Sequence, residues 1–510
     1  MVSQSTRRLP AKPCFGFPAI SGRLKTEPSV IRHPQYHWTP LSPDQVEAIH
    51  TASLDVLARA GLCIQSPELL RCLAEVGLRI DLPTQRVWLS QEEVARHLAA
   101  APKRWTLHAW NPRHDIHFGE HDLHVAPGYG SPFVADTDGR RRAATLDDFR
   151  KFTSLAERCD AVDLMSCLIV EPTDIPAGVR GVEIMHCLLS RSEKPLMGPV
   201  HSLEAIEDSL CMTRIVFGDL ARPRLVALIN INSPLRLDVR MAEAMLAYAR
   251  AGQAILLTPG IMMGITAPAT VAGALVQGWA ELLGAAAIVE AIRPRTPLIL
   301  GIGGFGSDLR CGGSGFGRPE NAVGLAAGSQ LARRLNLPYR CSAMVTGSRG
   351  PDCRSGYERM MTALAAWHAG AHLALQGMGI LDNINSMSYE QFVIDAEIWN
   401  YVRRLARPTQ VDDDTLAVGL ILENDGSYMT REHTVEHMRR EIHIPALVPP
   451  ESHESWLQGG GRDVRGLAAD RVEAMLSEPR RPHLPDDIQR ELDDYARGRR
   501  DKISSRTTAM

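Results

Sequence analysis

The run Leu225-Val-Ala-Leu-Ile-Asn-Ile231 decides the fold. It is apolar at nearly every position, so as a strand it carries hydrophobic side chains on both faces, which suits a parallel sheet covered by helices. Seven further runs share this character: Leu164 to Val170, Pro195 to Val200, Ala254 to Thr258, Pro297 to Ile302, Tyr339 to Val345, His372 to Met378 and Leu416 to Leu422. Most successive runs are separated by enough chain for one helix. The alternation of short apolar strand and helix over residues 145–440 predicts repeated βαβ units. Eight such units close naturally into a (β/α)8 TIM-type barrel, with an open doubly wound sheet as the alternative.

Outward from this core the chain changes character. Residues 1–40 mix Pro, Ser, Arg and Lys without periodicity and read as a flexible extension. Order is expected from Leu41-Ser42-Pro43, where Ser42 is a good helix N-cap, Pro43 fits the first helical position and Gln45 completes a capping box. Two more short helices, from Ser66 and Ser90, and strands around Val87 to Leu89, Trp105 to Ala109 and the hairpin-like Phe133 to Asp136 with Gly139-Arg140 make residues 41–144 an α+β cap. Residues 441–510 carry Trp456 and two charged helical patterns, and are expected to form a helical appendage used in subunit contact within a homo-oligomer.

The chain has 510 residues, 45% hydrophobic and 23% charged, which is ample for a large core. A formal net charge of -3 points away from nucleic acid or anionic membrane as the main partner. Ten cysteines stand singly with no metal or redox spacing, as expected of reduced, mostly buried thiols in a cytoplasmic protein. Arg7-Arg8 is followed by no apolar signal core, and the most apolar stretch, Ala267 to Ile292, is interrupted by Gln277, Glu281 and Glu290.

In a barrel of this kind chemistry belongs at the C-terminal strand ends. Those ends carry Glu171, His201, Asn230, Asn232, Thr258, Gly301-Ile-Gly-Gly-Phe-Gly306, Thr346-Gly-Ser-Arg-Gly-Pro-Asp352 and Gly377-Met-Gly379. The glycines at 301, 303 and 306 match a dinucleotide fingerprint, but Ser307 to Pro319 continues as loop where a helix N-terminus would have to receive a pyrophosphate, so neither NAD nor FAD is expected. His433-Thr-Val-Glu436-His437 has the spacing of a zinc helix. Without a third ligand signalled nearby it reads as a solvated or interface helix, and no metal is expected. His114, His117, His121 and His124 read as surface residues.

Several segments, read together, resemble the trimethylamine methyltransferase family over about residues 41–475. They are Leu41 to His50 with Ala60-Gly61, Ala126-Pro-Gly-Tyr-Gly-Ser-Pro-Phe133 to Asp136, Arg142 to Asp148, Thr258-Pro259 with Ala267 to Gly273, Phe316-Gly-Arg-Pro-Glu320, Ser348 to Asp352 with Gly356-Tyr-Glu358, and Ser388-Tyr389 to Asp395. The resemblance implies a barrel whose mouth accepts an N-methylated amine and a corrinoid (cobalamin) carried by a partner protein, with the methyl group passing from nitrogen to reduced cobalt. Members acting on trimethylamine carry pyrrolysine in the barrel. This chain has only standard residues, so the implied donor is a quaternary amine such as glycine betaine.

A quaternary nitrogen suits aromatic faces, and Tyr129, Phe133, Tyr357 and Tyr389 fall in the family-like segments, with Glu320 and Glu358 to balance charge. Gly303, Gly304, Ser348 and Asp352 are the residues expected toward the corrinoid. A non-catalytic sensor of methylated amines on the same barrel, and a zinc hydrolase using His433 and His437, are the competing readings.

Overall fold

Leu225–Ile231 is the longest strand of a mixed α/β molecule, and Leu225 to Ile229 are all buried. The structure, a computed structural model, describes residues 30–136, 140–423, 426–448, 450–480 and 482–508. The parallel strands are β1 (Asp122–Val125), β2 (Leu196–Gly198), β3 (Leu225–Ile231), β4 (Ala254–Pro259), β5 (Leu298–Leu300), β6 (Arg340–Ser342) and β7 (Leu373–Leu375). A helix follows each: α1 (Leu146–Arg158) follows β1, and α2 (Ala177–Arg191) follows the extended segment at 163–165. Next come α3 (Leu203–Phe217), α4 (Val239–Arg250), α5 (Val271–Ile292), α6 (Pro319–Arg334), α7 (Cys353–His368) and α8 (Tyr389–Ala406).

Pairing runs from strand to neighbouring strand. β2, β3, β4 and β5 pair in parallel in that order, a bridge joins Leu300 to Tyr339, and β6 pairs in parallel with β7. β7 then pairs in parallel with β1, through Leu373 with His124 and Ala374 with Val125. The amides of Asp163 and Leu164 donate to Val125 O, and Met165 bridges in parallel to Leu196 of β2.

One expected strand is corrected. Leu416 to Leu422 is helical, in Asp413–Leu416 and Val418–Glu423, and it lies outside the parallel set with Leu422 80% exposed. The position it was to fill is taken by β1, from the segment assigned to the cap. His124, expected at the surface, is accordingly buried.

The helices start where side chains cap them. Thr145 and Asp148 make a reciprocal capping box at α1, and Ser202, Asp238, Thr270, Asp352 and Ser388 each accept from an amide of the first turn of α3, α4, α5, α7 and α8. α5 is long and apolar enough to cross a membrane by composition, yet here it is a core helix: Trp279, Leu282 and Ile288 are fully buried, and so is Glu281.

The N-terminal region holds the expected helix Pro43–Arg59, with the Ser42/Gln45 capping box, and a small sheet of Leu62–Ile64, Arg79–Asp81 and Arg86–Trp88. Arg236–Leu237, after β3, pairs in parallel with Leu62–Ile64 and stitches this region to the strand ends. The expected hairpin pairs Phe133–Ala135 with Arg141–Ala143, while Gly139 lies outside the described residues, as do residues 1–29 of the expected extension. At the C-terminus, Asp486–Thr508 folds back onto α2 and α3, where Arg499 pairs with Glu204 and Asp208 and Arg500 with Glu183. The described cysteines are all free; Cys159, Cys167, Cys187 and Cys341 are buried, and Cys311 and Cys353 are exposed.

Candidate active site

The loops after the parallel strands are bonded to one another through their backbones. Gly303 N donates to Pro259 O (3.0 Å) and Ile261 N to Gly303 O (2.9 Å), joining the loops after β4 and β5. Asp382 N donates to Ser348 O (2.7 Å) and Asn383 N to Thr346 O (2.9 Å), joining those after β6 and β7. Gly128 N donates to Met378 O (3.0 Å) and Gly130 N to Leu168 O (2.7 Å), continuing the rim past β1. Positive φ angles at Met344 (63°), Gln376 (66°), Asp382 (51°), Asn383 (50°) and Ile384 (78°) cluster at the ends of β6 and β7. For a β-branched residue such as Ile384 this is strained backbone, of the kind that collects at functional sites.

Glu358, on the first turns of α7, is buried beneath this rim. Its carboxylate accepts from Thr346 Oγ1 (2.5 Å), Gly347 N (3.0 Å) and Arg354 Nε (2.7 Å). The loop after β5 closes over it: a Cβ on Gly317 would stand 2.1 Å from Glu358 Oε2, so only glycine lets that backbone approach. Asp352 caps α7 by accepting from Ser355 N (2.7 Å), and Ser348 Oγ donates to its other oxygen (2.6 Å). Burial raises the Asp352 pKa, but the Ser348 hydroxyl and the helix amides outweigh it and hold the carboxyl below its ordinary range.

The glycine run after β5 is packed rather than open. Gly304 has φ +70°, and a Cβ there would meet the Phe316 ring at 2.9 Å; a Cβ on Gly303 would lie 3.1 Å from Thr258 Oγ1 and 3.3 Å from Arg340 Nη1. The next helix begins only at Pro319, and Gly303 N is already spent on Pro259 O. In contrast, a Cβ on Gly130, Gly260 or Gly350 would meet nothing within 4 Å. These three leave open space where a side chain would stand.

Of the expected aromatic residues, Tyr129 lies in the rim, its hydroxyl 4.0 Å from Cys167 Sγ, with burial driving the phenol pKa well up. Phe133 is covered by its own chain's cation, the Arg141 guanidinium 4.2 Å above the ring. Tyr389 stacks on Phe152 at 4.2 Å and donates to Asp148 Oδ1 at 2.6 Å, so its ring and hydroxyl serve the α1–α8 contact. Tyr357 is 61% exposed on α7, and Glu320 is exposed in the first turn of α6. Tyr129, Gly303, Gly304, Ser348, Asp352 and Glu358 thus lie in the loops and first helical turns that follow parallel strands, Ser348 and Asp352 in direct contact, whereas Tyr357 and Glu320 are exposed and Phe133 and Tyr389 are engaged by Arg141 and by Phe152 with Asp148.

Sequence reading missed Arg340. Its side chain is buried inside the strand set, where Nη1 donates to Thr258 Oγ1 (3.3 Å) and Nη2 to Gln376 Oε1 (2.9 Å). The available signal was an arginine flanked by Tyr339 and Cys341 in a strand expected to be apolar on both faces. His201, at the end of β2, is held neutral by burial, its pKa lowered to about 4.

Away from the strand ends, Asp414 comes to His433 and His437, with ligand atoms within 4.8 Å of one another. Asp414 is the third candidate ligand that the local sequence did not signal.

The family model described as trimethylamine methyltransferase matches residues 20–504. A glycine betaine methyltransferase of Desulfitobacterium hafniense (strain Y51) is 35% identical over 422 residues, 82% of this chain and 88% of that protein. A trimethylamine methyltransferase of D. hafniense (strain DSM 10664 / DCB-2) is 28% identical over 91% of this chain and 95% of its own length. A proline betaine:corrinoid methyltransferase of Eubacterium limosum is 26% identical over 73% of this chain and 79% of its own. Among solved structures, the Methanosarcina barkeri monomethylamine methyltransferase superposes with a TM-score of 0.51 at 12% identity, covering 86% of this chain and 89% of that one. That likeness bears on the fold alone.

Proposed function

Since the chain belongs to the trimethylamine methyltransferase family, we propose that it moves a methyl group from a quaternary N-methylated amine, glycine betaine or a close analogue, to the corrinoid of a partner protein. The observation that carries this reading is the 35% identity to a glycine betaine methyltransferase across 82% of the chain, against 28% to a trimethylamine methyltransferase. The chain's twenty-residue alphabet, with no pyrrolysine, supports the same choice.

The eight parallel strand positions, 122–125 and 163–165 followed by β2 to β7, are taken as a closed (β/α)8 barrel spanning about 122–406, with an α+β cap before it and helices after it.

When docked, the partner's corrinoid supplies the reduced metal centre that accepts the methyl group, the nitrogen keeping the C–N bond pair. A quaternary nitrogen leaves as a neutral amine, so the chain needs to supply no proton. Its work is binding, orientation and exclusion of water. Glu358, shared with Arg354 beneath the rim, is taken as the acidic group toward the ammonium, and Tyr129 as an aromatic wall. Gly303 and Gly304 keep the loop after β5 low, Ser348 and Asp352 pin the loop after β6, and the bare backbones of Gly130, Gly260 and Gly350 leave the mouth wide for the corrinoid. Phe133, Glu320, Tyr357 and Tyr389 are left out of the substrate site.

The chain is further proposed to form a homo-oligomer. Helices Asp413–Leu416, Val418–Glu423 and Glu432–Glu441 bury none of their side chains within one chain and leave Leu422 and Val435 exposed, a face that a second copy would cover. Formation of N,N-dimethylglycine from glycine betaine by the purified chain with a reduced corrinoid protein tests the function.

A further inference from the structure

Two guanidinium groups are enclosed beside β6 and β7, those of Arg340, the first residue of β6, and Arg359 of α7, and the chain treats them differently. Arg359 donates to Asp395 Oδ2 (2.7 Å), Met344 O (2.6 Å) and Ser355 Oγ (2.8 Å), and also reaches Ile380 O. Its charge is matched and four of its five N–H groups are used. Arg340, 2% exposed, has only neutral acceptors, Thr258 Oγ1 and Gln376 Oε1, and its buried Nε has no protein acceptor. Of its five N–H groups, three therefore lack an acceptor among the described residues.

Among the described residues nothing beside Arg340 neutralises it. The titratable groups beside it are the Tyr339 phenol and the Cys341 thiol, and burial pushes the thiol up to about 12, so it holds its proton. Burial lowers the Arg340 pKa only to about 10, which leaves it charged near neutrality. A buried cation without a counter-charge is costly, and removing one partner of such a pair is among the more damaging changes a protein can suffer. Room has nonetheless been kept for this one. A Cβ on Gly301 would lie 3.0 Å from Arg340 Cδ, and one on Gly303 would lie 3.3 Å from Nη1.

We propose that Arg340, with Thr258 and Gln376 orienting it, is the anchor for a carboxylate on the methyl donor, so that the site selects N-methylated amino acids over quaternary amines that carry no acid group. The proposal rests on the functional reading above and deepens it, by naming the part of the donor remote from the transferred methyl. A planar guanidinium with free donors takes a carboxylate through two parallel N–H···O bonds. Anchoring the acid end inside the strand set would aim the ammonium at the mouth, where its methyl group has to be presented. Binding energy from a non-reacting part of the substrate is then used for positioning.

Titration calorimetry of the full chain with glycine betaine and with tetramethylammonium tests this, alongside methyl transfer from each. Two variants are used. Arg340→Gln removes the charge. Gln376→Glu is nearly isosteric, gives Arg340 an internal carboxylate and keeps the core filled, so a folding failure of the first variant does not block the test. In both, the Kd for glycine betaine is expected to rise about 30-fold or more, as for loss of one partner of a buried charged pair. Tetramethylammonium binding is expected to stay within about threefold, ordinary scatter for an untouched contact. Equal weakening of both ligands, or unchanged glycine betaine affinity, overturns the anchor, as does wild-type indifference between the two donors. Wild-type binding of glycine betaine that depends on Arg340, without methyl transfer, would leave the anchor standing and overturn the functional reading. Absence of any glycine betaine binding would overturn both.

Discussion

Arg359 of α7 and Asp395 of α8 form an ion pair at 2.7 Å in which neither side chain is exposed at all. Asp395 also accepts from Gly379 N (2.7 Å) and Gln391 Nε2 (2.8 Å), while Arg359 donates to the carbonyl of Met344. One pair thus ties two helices to the ends of β6 and β7, where the strained backbones of Met344, Gln376 and Ile384 stand.

Breaking one side of that pair leaves the other charge buried and unmatched. Arg359→Met and Asp395→Asn are each expected to lower unfolding free energy by about 3–5 kcal/mol, and the double variant Arg359→Met/Asp395→Leu by less than the sum of the single changes. Denaturant melts of the three variants check this, and strict additivity would show that the pair does not act as a unit.

On the proposed function, Tyr389 acts as a structural contact rather than a substrate contact. Its hydroxyl donates to Asp148 at 2.6 Å, and Asp148 also accepts from Arg142 at 2.6 and 2.7 Å. Tyr389→Phe is expected to lower stability by about 1–3 kcal/mol, the worth of a hydrogen bond to a charged group, with the KM for the methyl donor unchanged. A raised KM at unchanged stability would return Tyr389 to the site.

Glu281 gives stability a pH dependence. It is fully buried in α5, and burial raises its pKa to about 7, against the opposing hydrogen bonds from Leu235 N (2.8 Å), Ser233 Oγ (2.7 Å) and Gln277 Nε2 (3.1 Å). The folded state therefore holds this proton more tightly than the unfolded state, whose carboxyl titrates near 4.5. Its contribution to stability is full below pH 4.5 and is lost as pH rises through about 7, by a few kcal/mol in order of magnitude. Glu281→Gln should flatten that limb of the Tm profile between pH 5 and pH 8 (assay values, roughly the span of the titration). An unaltered profile would place the titration elsewhere.

The outer rim should tolerate bulk that the corrinoid does not. A Cβ on Gly260 meets nothing within 4 Å, so Gly260→Trp is expected to change stability by less than about 0.5 kcal/mol and to leave glycine betaine affinity unaltered. Methyl transfer to the protein-bound corrinoid should be abolished. Full transfer by this variant would place the docking face away from the loop after β4.

Much of this was legible in the sequence. Seven of the eight apolar runs lie at parallel strand positions, because strands buried on both faces leave an unbroken apolar signature that helices and loops do not share. The eighth failed for a physical reason. Leu416 to Leu422 is as apolar as a core strand but is helical and exposed, and periodicity cannot separate the two in so short a run. The true strand, Asp122–Val125, was hidden by its length of four residues and by a histidine that tertiary packing buries. At the site, glycines and caps could be read, since backbone approach and helix starts are local demands. The partners of side chains could not: Tyr389 meets Asp148 across 241 residues, and Arg340 meets Thr258 across 82.

Methyl transfer from a quaternary donor can be read at the cobalt itself. Under anaerobic single-turnover conditions, the purified chain and a corrinoid protein reduced to its Co(I) state are mixed with glycine betaine or with trimethylamine, and methylation of the cobalt is followed by its absorbance. The account predicts stoichiometric methylation with equimolar N,N-dimethylglycine from glycine betaine, and none above the uncatalysed rate from trimethylamine. Methylation from trimethylamine, with glycine betaine inert, would contradict it.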